Sequence, residues 1–461
     1  MKRWILPLAT IGATLALLGV CTLIPAGAPP AGNTPVSNAR VSRVCPYLSA
    51  ESVDWRIVAA SKDGQLAAAA LDARPNAAPT SLLKEKGSAQ PLRISAPRND
   101  QFDGTGWVSQ ADGSERGLSS IACASPNQSA WFVGALLSVD ATAELTLFNA
   151  DATDAIVDIA IFDENGRVAA PGARGIVVRA LSSHVVPLSA MSTASSPIAK
   201  TAFSIHVETS TGRVAPILRQ RLWKANDPLS AEWLPPTGDP SPQVIMPGVP
   251  AGDGARKVSI VNPGDRTAQV TVELLGVEGT SVIPETQEIE VPPASTKTFD
   301  LTDTLAGQPG AIRLDAGSVE IAATMSIEAG QEPDLGFAAG SAPIEAQGLW
   351  VLPTTKNAAA VLQLANSTAK DAQVVVTTAN EPGVDPEIKL VDVRAGASVL
   401  VELAKRDIIV LQLSTSDEGV HAAVSVTRQL GGLAGVTVVP LNPGENGEAP
   451  AKITLDPHVG S

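Results

Sequence analysis

The sequence is short of the side chains that carry most enzyme and metal chemistry. It has four histidines, and His184, His206, His421 and His458 are not paired at metal-ligand spacing. It contains no G-x-S-x-G elbow, H-E-x-x-H helix or Walker loop. The glycine-rich stretches AGDGARK (251–257) and GGLAG (431–435) read as turns between β segments, because no strand-to-helix context surrounds them. DENG (163–166) lacks the rest of a calcium loop and reads as a hairpin turn. The sequence therefore assigns no catalytic, metal-binding or cofactor-binding residue, and it points to a protein that is not an enzyme.

Basic charge is scarce too. Thirty-three lysines and arginines face 47 acidic residues, a net charge of −14, and no long basic run exists to neutralise phosphates. This excludes nucleic acid as an expected partner. Aromatics make up 3% of the chain, with a single tyrosine. Trp131 and Trp350 stand at matching positions where a third segment has Val244-Ile245-Met246, a replacement that suits core filling better than a sugar-stacking platform. Trp55 and Trp107 are left as candidate exposed ligand contacts. Of three cysteines, Cys21 lies in an apolar run, so Cys45 and Cys123 are expected to form one disulfide in an oxidising compartment.

What the chain does have is turn residues. Gly and Pro number 38 and 36, spread along its whole length, and with 44% hydrophobic residues they predict an all-β protein with real cores. At the start, Lys2 and Arg3 precede an uncharged run from Trp4 to Ile24, about the length that spans a bilayer. Residues 1–24 thus read as a signal anchor that sends the remainder outward. Cleavage after Ala26-Gly27-Ala28 and lipidation at Cys21 remain open alternatives. Residues 25–42 read as a Pro/Ala/Gly linker, 43–128 as a small β-rich domain stapled by the disulfide, and 443–461 as a flexible tail.

Between the small domain and the tail the sequence repeats itself. LTLFNADATDA (145–155), VSIVNPGDRTA (258–268) and LQLANSTAKDA (362–372) share an Asn at the fifth place. Each Asn precedes a Gly by 17 residues: Asn149 to Gly166, Asn262 to Gly279 and Asn366 to Gly383. A second motif opens at Val178, Val291 and Val393, which lie 29, 29 and 27 residues after the Asn. The period, 113 and then 104 residues, exceeds the roughly 20–50 of solenoids and propellers and suits a self-contained two-sheet sandwich. Seven strands per copy predict three tandem immunoglobulin-like sandwiches over 129–238, 239–347 and 348–442. The three Asn and three Gly are expected to be structural turn residues, since no acid, base or nucleophile recurs beside them.

Four marks carry a family likeness: Cys45-Pro46, Arg116-Gly117-Leu118 before the second cysteine, Trp131-Phe132-Val133-Gly134, and a strand ending in Asn262-Pro263. With them the chain resembles an actinobacterial family of membrane-anchored or secreted envelope proteins whose domain has unknown function. Asn-Pro appears in the second copy alone, a departure from the family pattern. The resemblance implies a cell-envelope setting with glycosyltransferase genes nearby, and it supplies no catalytic residue.

These features together predict a non-enzymatic, extracytoplasmic envelope protein at the plasma membrane, a scaffold or binding module with protein or glycan partners. Two other readings stay open: a carbohydrate-binding accessory of envelope glycan assembly, and a secreted hydrolase whose site is assembled from distant residues.

Overall fold

The computed structural model describes residues 40–48, 55–75, 77–87, 90–191, 198, 201–283, 289–330, 333–344 and 346–442. The expected anchor, the linker up to residue 39 and the tail from 443 lie outside the described residues. Arg40–Ser42, which composition assigns to the linker, instead open the first strand: they pair with Ser95–Pro97.

The described chain is built from β-strands in eight antiparallel sheets, and the sheets fall into four pairs, each pair sharing a core. Alternation makes this possible. In Ala155–Asp163, for example, Val157, Ile159 and Ile161 are buried while intervening side chains are not.

One strand order recurs in all four pairs. In the segment beginning at Ser129, one sheet holds Ser129–Ala135, Phe203–Thr211 and Ala155–Asp163 side by side. Its partner sheet runs Ser182–Val186, Ala141–Asn149, Ala215–Lys224, Asp227–Leu234. The segments beginning at Gln243 and Gln347 repeat this order. So does the disulfide-bearing segment, with Arg40–Cys45, Leu92–Pro97 and Ala67–Ala70 in one sheet and Leu82–Lys86, Trp55–Ser61, Phe102–Gln110, Gly117–Ala122 in the other. The β-rich domain whose topology the sequence leaves open is thus a sandwich with the strand order of the other three.

Two details depart from expectation. The immunoglobulin order sets the first strand beside the second, and the seventh beside the sixth. Here those edges are exchanged: Ser129–Ala135 pairs with Phe203–Thr211, and Ala215–Lys224 pairs with Ala141–Asn149. Each sandwich also ends in an additional strand, hereafter its closing strand: Gly117–Ala122, Asp227–Leu234, Asp334–Ala339 and Leu433–Pro440.

The closing strands bind the sandwiches together. Each neighbours the next in chain order, and the fourth returns to the first. Apolar contacts reinforce every joint. Phe148 and Trp233 of the second sandwich join the core of the first, Leu335 and Phe337 of the third join the second, and Val436 and Val438 of the fourth join the third. Trp107 and Leu118 of the first sandwich pack into the fourth, which closes the circuit.

Candidate functional site

The repeated Asn residues are fully buried, one in each of the last three sandwiches. Each makes the same three hydrogen bonds. The Asn149 Oδ1 accepts from the Asp151 N–H (2.9 Å), and its Nδ2 donates to the Thr153 (2.8 Å) and Val178 (3.0 Å) carbonyls. Asn262 does so with Gly264, Arg266 and Val291, and Asn366 with Thr368, Lys370 and Val393. The recurring step from Asn to the second motif, 29, 29 and 27 residues, is therefore a hydrogen bond across the sandwich. The amide closes an Asx-turn and ties it to the strand-ending valine. Gly166 and Gly279 sit in hairpins at φ 119° and 126°, and Gly383 in a turn at 73°. The structure brings none of these six residues to a common site.

Cys45 and Cys123 are bonded to each other and buried, 78 residues apart in sequence. Trp55 and Trp107 are each 1% exposed, so neither is the ligand contact the sequence left open. His206 stacks on Trp131, 4.1 Å between ring centroids, and accepts or donates a bond with the Ser129 hydroxyl. His421 is buried against the Ser341 carbonyl, and burial pushes its pKa down to about 4. His184 is exposed on an edge strand, and His458 lies outside the described residues.

Polar side chains that sequence reasoning passed over converge where the closing strands meet. Asp334, fully buried, holds all four sandwiches. Its Oδ2 accepts from the Leu118 and Val436 N–H groups, both at 2.9 Å, and its Oδ1 accepts from the Ser230 hydroxyl at 2.6 Å. Burial raises its pKa to about 6 against these bonds. Gly117 permits the approach: it sits at φ 130°, and a Cβ there would stand 2.5 Å from the Asp334 Oδ1. The Arg116-Gly117-Leu118 motif is thus a joint. Arg116 contacts the second sandwich through the Leu229 carbonyl and the Ala231 N–H, Gly117 gives room, and Leu118 donates to the third. Ser120 and Thr437 link the first and fourth sandwiches hydroxyl to hydroxyl at 2.9 Å. Asp103 accepts from Arg43 and from the Val351 N–H at a second point on that joint.

A groove of about 430 Å³ opens between the first and second sandwiches. Its wall is one face of the second sandwich's sheet, where register sets Thr142 opposite Arg221, Glu144 opposite Arg219, and Trp233 beside Arg219. From the turn before Gly117, Glu115 reaches across to pair with Arg219 (2.6 Å) and Arg221 (2.7 Å). Burial opposes ionisation of Glu115, but the two guanidiniums outweigh it and hold the carboxyl below its ordinary range. Arg219 also lies 3.8 Å over the Trp233 ring. Tyr47 and Trp223 also line the groove. The signal for this site was present in ILRQRLW: arginines two apart on a strand share a face.

The family of unknown function DUF5719 matches residues 83–404, a span from the first sandwich into the last. No curated protein matches the chain.

Proposed function

The chain belongs to the DUF5719 family, whose function is unknown, and we propose that it is a non-enzymatic envelope protein, a rigid extracytoplasmic platform with a binding surface. The supporting observation is the joint at Asp334. Tandem sandwiches that serve as spacers need contacts only with their neighbours in sequence, yet here one buried carboxylate links all four. Such a joint holds grooves between sandwiches in fixed shape, which lowers the ordering cost of binding. In this reading Trp4–Ile24 anchors the chain, and the sandwiches are duplicated units with the two-layer architecture of immunoglobulin domains.

The test has two arms. Protease added to intact cells should degrade the sandwiches, and fractionation should leave the full-length chain with the membrane. Purified protein incubated with peptidoglycan, envelope polysaccharides and peptides should release no product. Product release that a point substitution abolishes would make it a hydrolase, and a protease-protected chain would move it inside the cell.

A further inference from the structure

The groove between the first two sandwiches has a chemistry of its own. We propose that it binds a neutral, hydroxyl-rich oligosaccharide, an assignment that rests on the binding-module reading above and gives it a ligand class.

Charge argues first. Two carboxylates, Glu115 and Glu144, face two guanidiniums, Arg219 and Arg221, so the groove carries no net charge to attract an ion. On a chain of net charge −14 a polyanion is further disfavoured. The spacing of those groups argues second. Glu115 occupies the Nε and Nη2 of Arg221, at 2.9 and 2.7 Å. This turns the Arg221 Nη1 toward Glu144, and the two stop 4.0 Å apart, beyond a direct hydrogen bond. The Glu144 side chain is 51% exposed. A donor and an acceptor held at that separation suit a group that gives one hydrogen bond and takes another, which is what a hydroxyl does. Thr142, Thr146 and Ser183 extend the polar row along the same wall.

The remaining surface supplies the complement. Tyr47, 37% exposed, and the half-buried Trp223 line the groove with aromatic surface, and the buried Phe148 and Ile217 add apolar surface. A sugar presents both kinds of surface, C–H faces that pack on rings and hydroxyls that hydrogen-bond. The volume falls in the roughly 300–1,000 Å³ range of small-ligand sites.

The experiment is calorimetric titration of the full-length protein in detergent micelles with maltohexaose, cellohexaose, mannohexaose and, as the charged comparison, hyaluronan hexasaccharide. At least one neutral hexasaccharide should bind saturably and shift the tryptophan fluorescence. Trp223→Ala and Glu144→Gln should each weaken that binding by about tenfold or more. Glu144→Gln changes an exposed side chain and keeps the fold, so the test stands even if the tryptophan variant misfolds. The assignment is overturned if no neutral hexasaccharide binds, if the acidic one binds more tightly, or if the substitutions leave binding unchanged. Absence of neutral-sugar binding in a chain still exposed on the membrane would defeat this assignment and leave the platform reading standing. Shortening of a bound hexasaccharide, lost in both variants, would support the groove as the sugar site and defeat the non-enzymatic reading.

Discussion

Replacing Asp334 by asparagine should change how the stability of the whole assembly depends on pH. In the folded chain its carboxyl titrates near pH 6, raised by burial from an ordinary 3.8. A raised folded pKa means that the folded state holds its proton longer than the unfolded state. The resulting stability is fully present below pH 3.8 and is lost as pH rises through 6. At about 1.4 kcal/mol for each pH step between those values, the loss is about 3 kcal/mol. Asparagine does not titrate. Its Oδ1 can accept from the Leu118 and Val436 N–H groups, and its Nδ2 can donate to a Ser230 hydroxyl turned to accept. In urea unfolding followed by tryptophan fluorescence from pH 4 to 7.5, the D334N chain should therefore gain on the wild type by about 3 kcal/mol toward the alkaline end. A difference between the two chains that stays flat over this range would refute the buried, titrating carboxylate. D334A serves as the companion: it orphans three donors, and at about 1–3 kcal/mol each it should destabilise at every pH.

Other outcomes follow from the same geometry. Asn262→Ala removes three hydrogen bonds from a buried turn and should cost about 2–4 kcal/mol in urea denaturation, with similar losses for Asn149→Ala and Asn366→Ala. Gly117→Ala should lower the melting temperature, because its Cβ meets Asp334 in a left-handed backbone region. Replacing Cys45 and Cys123 by serine opens a 78-residue span and should cost about 4–5 kcal/mol by chain entropy, read as a shift in the urea midpoint. His421 works opposite to Asp334: its folded pKa near 4 lies below the ordinary 6.5, so its stability is present above 6.5 and is lost as pH falls. His421→Gln should flatten that acid limb in a thermal scan.

Features that repeat could be read from the sequence. The Asn turn was legible because all three copies place its bonds two and four residues after the Asn and so keep the same local pattern. The alternation of Val157, Ile159 and Ile161 exposed the strand period directly. The closing strands escaped because GLSSIA, DPLSAEWL, DLGFAA and LAGVTVVP share neither pattern nor composition; each is shaped by a different neighbour. The fourfold repetition escaped for a related reason. The first sandwich lacks the Asn turn, and one of its strands is four alanines, so its kinship lies in strand order alone. Asp334 opens its strand as one of 47 acidic residues with no motif around it, and its partners lie 104, 102 and 216 positions away. No local pattern encodes a contact at that distance. The groove was half legible, since Arg219 and Arg221 declare a common face but Glu115 comes from another sandwich.

A chain of beads can lose its last bead and keep the others. The return contact from the fourth sandwich to the first denies this protein that freedom. Removing residues 347–442 would strip Trp107 and Leu118 of the core they occupy and expose apolar surface at the opposite end of the sequence. The four sandwiches then stand or fall together, as one cooperative unit rather than four independent ones.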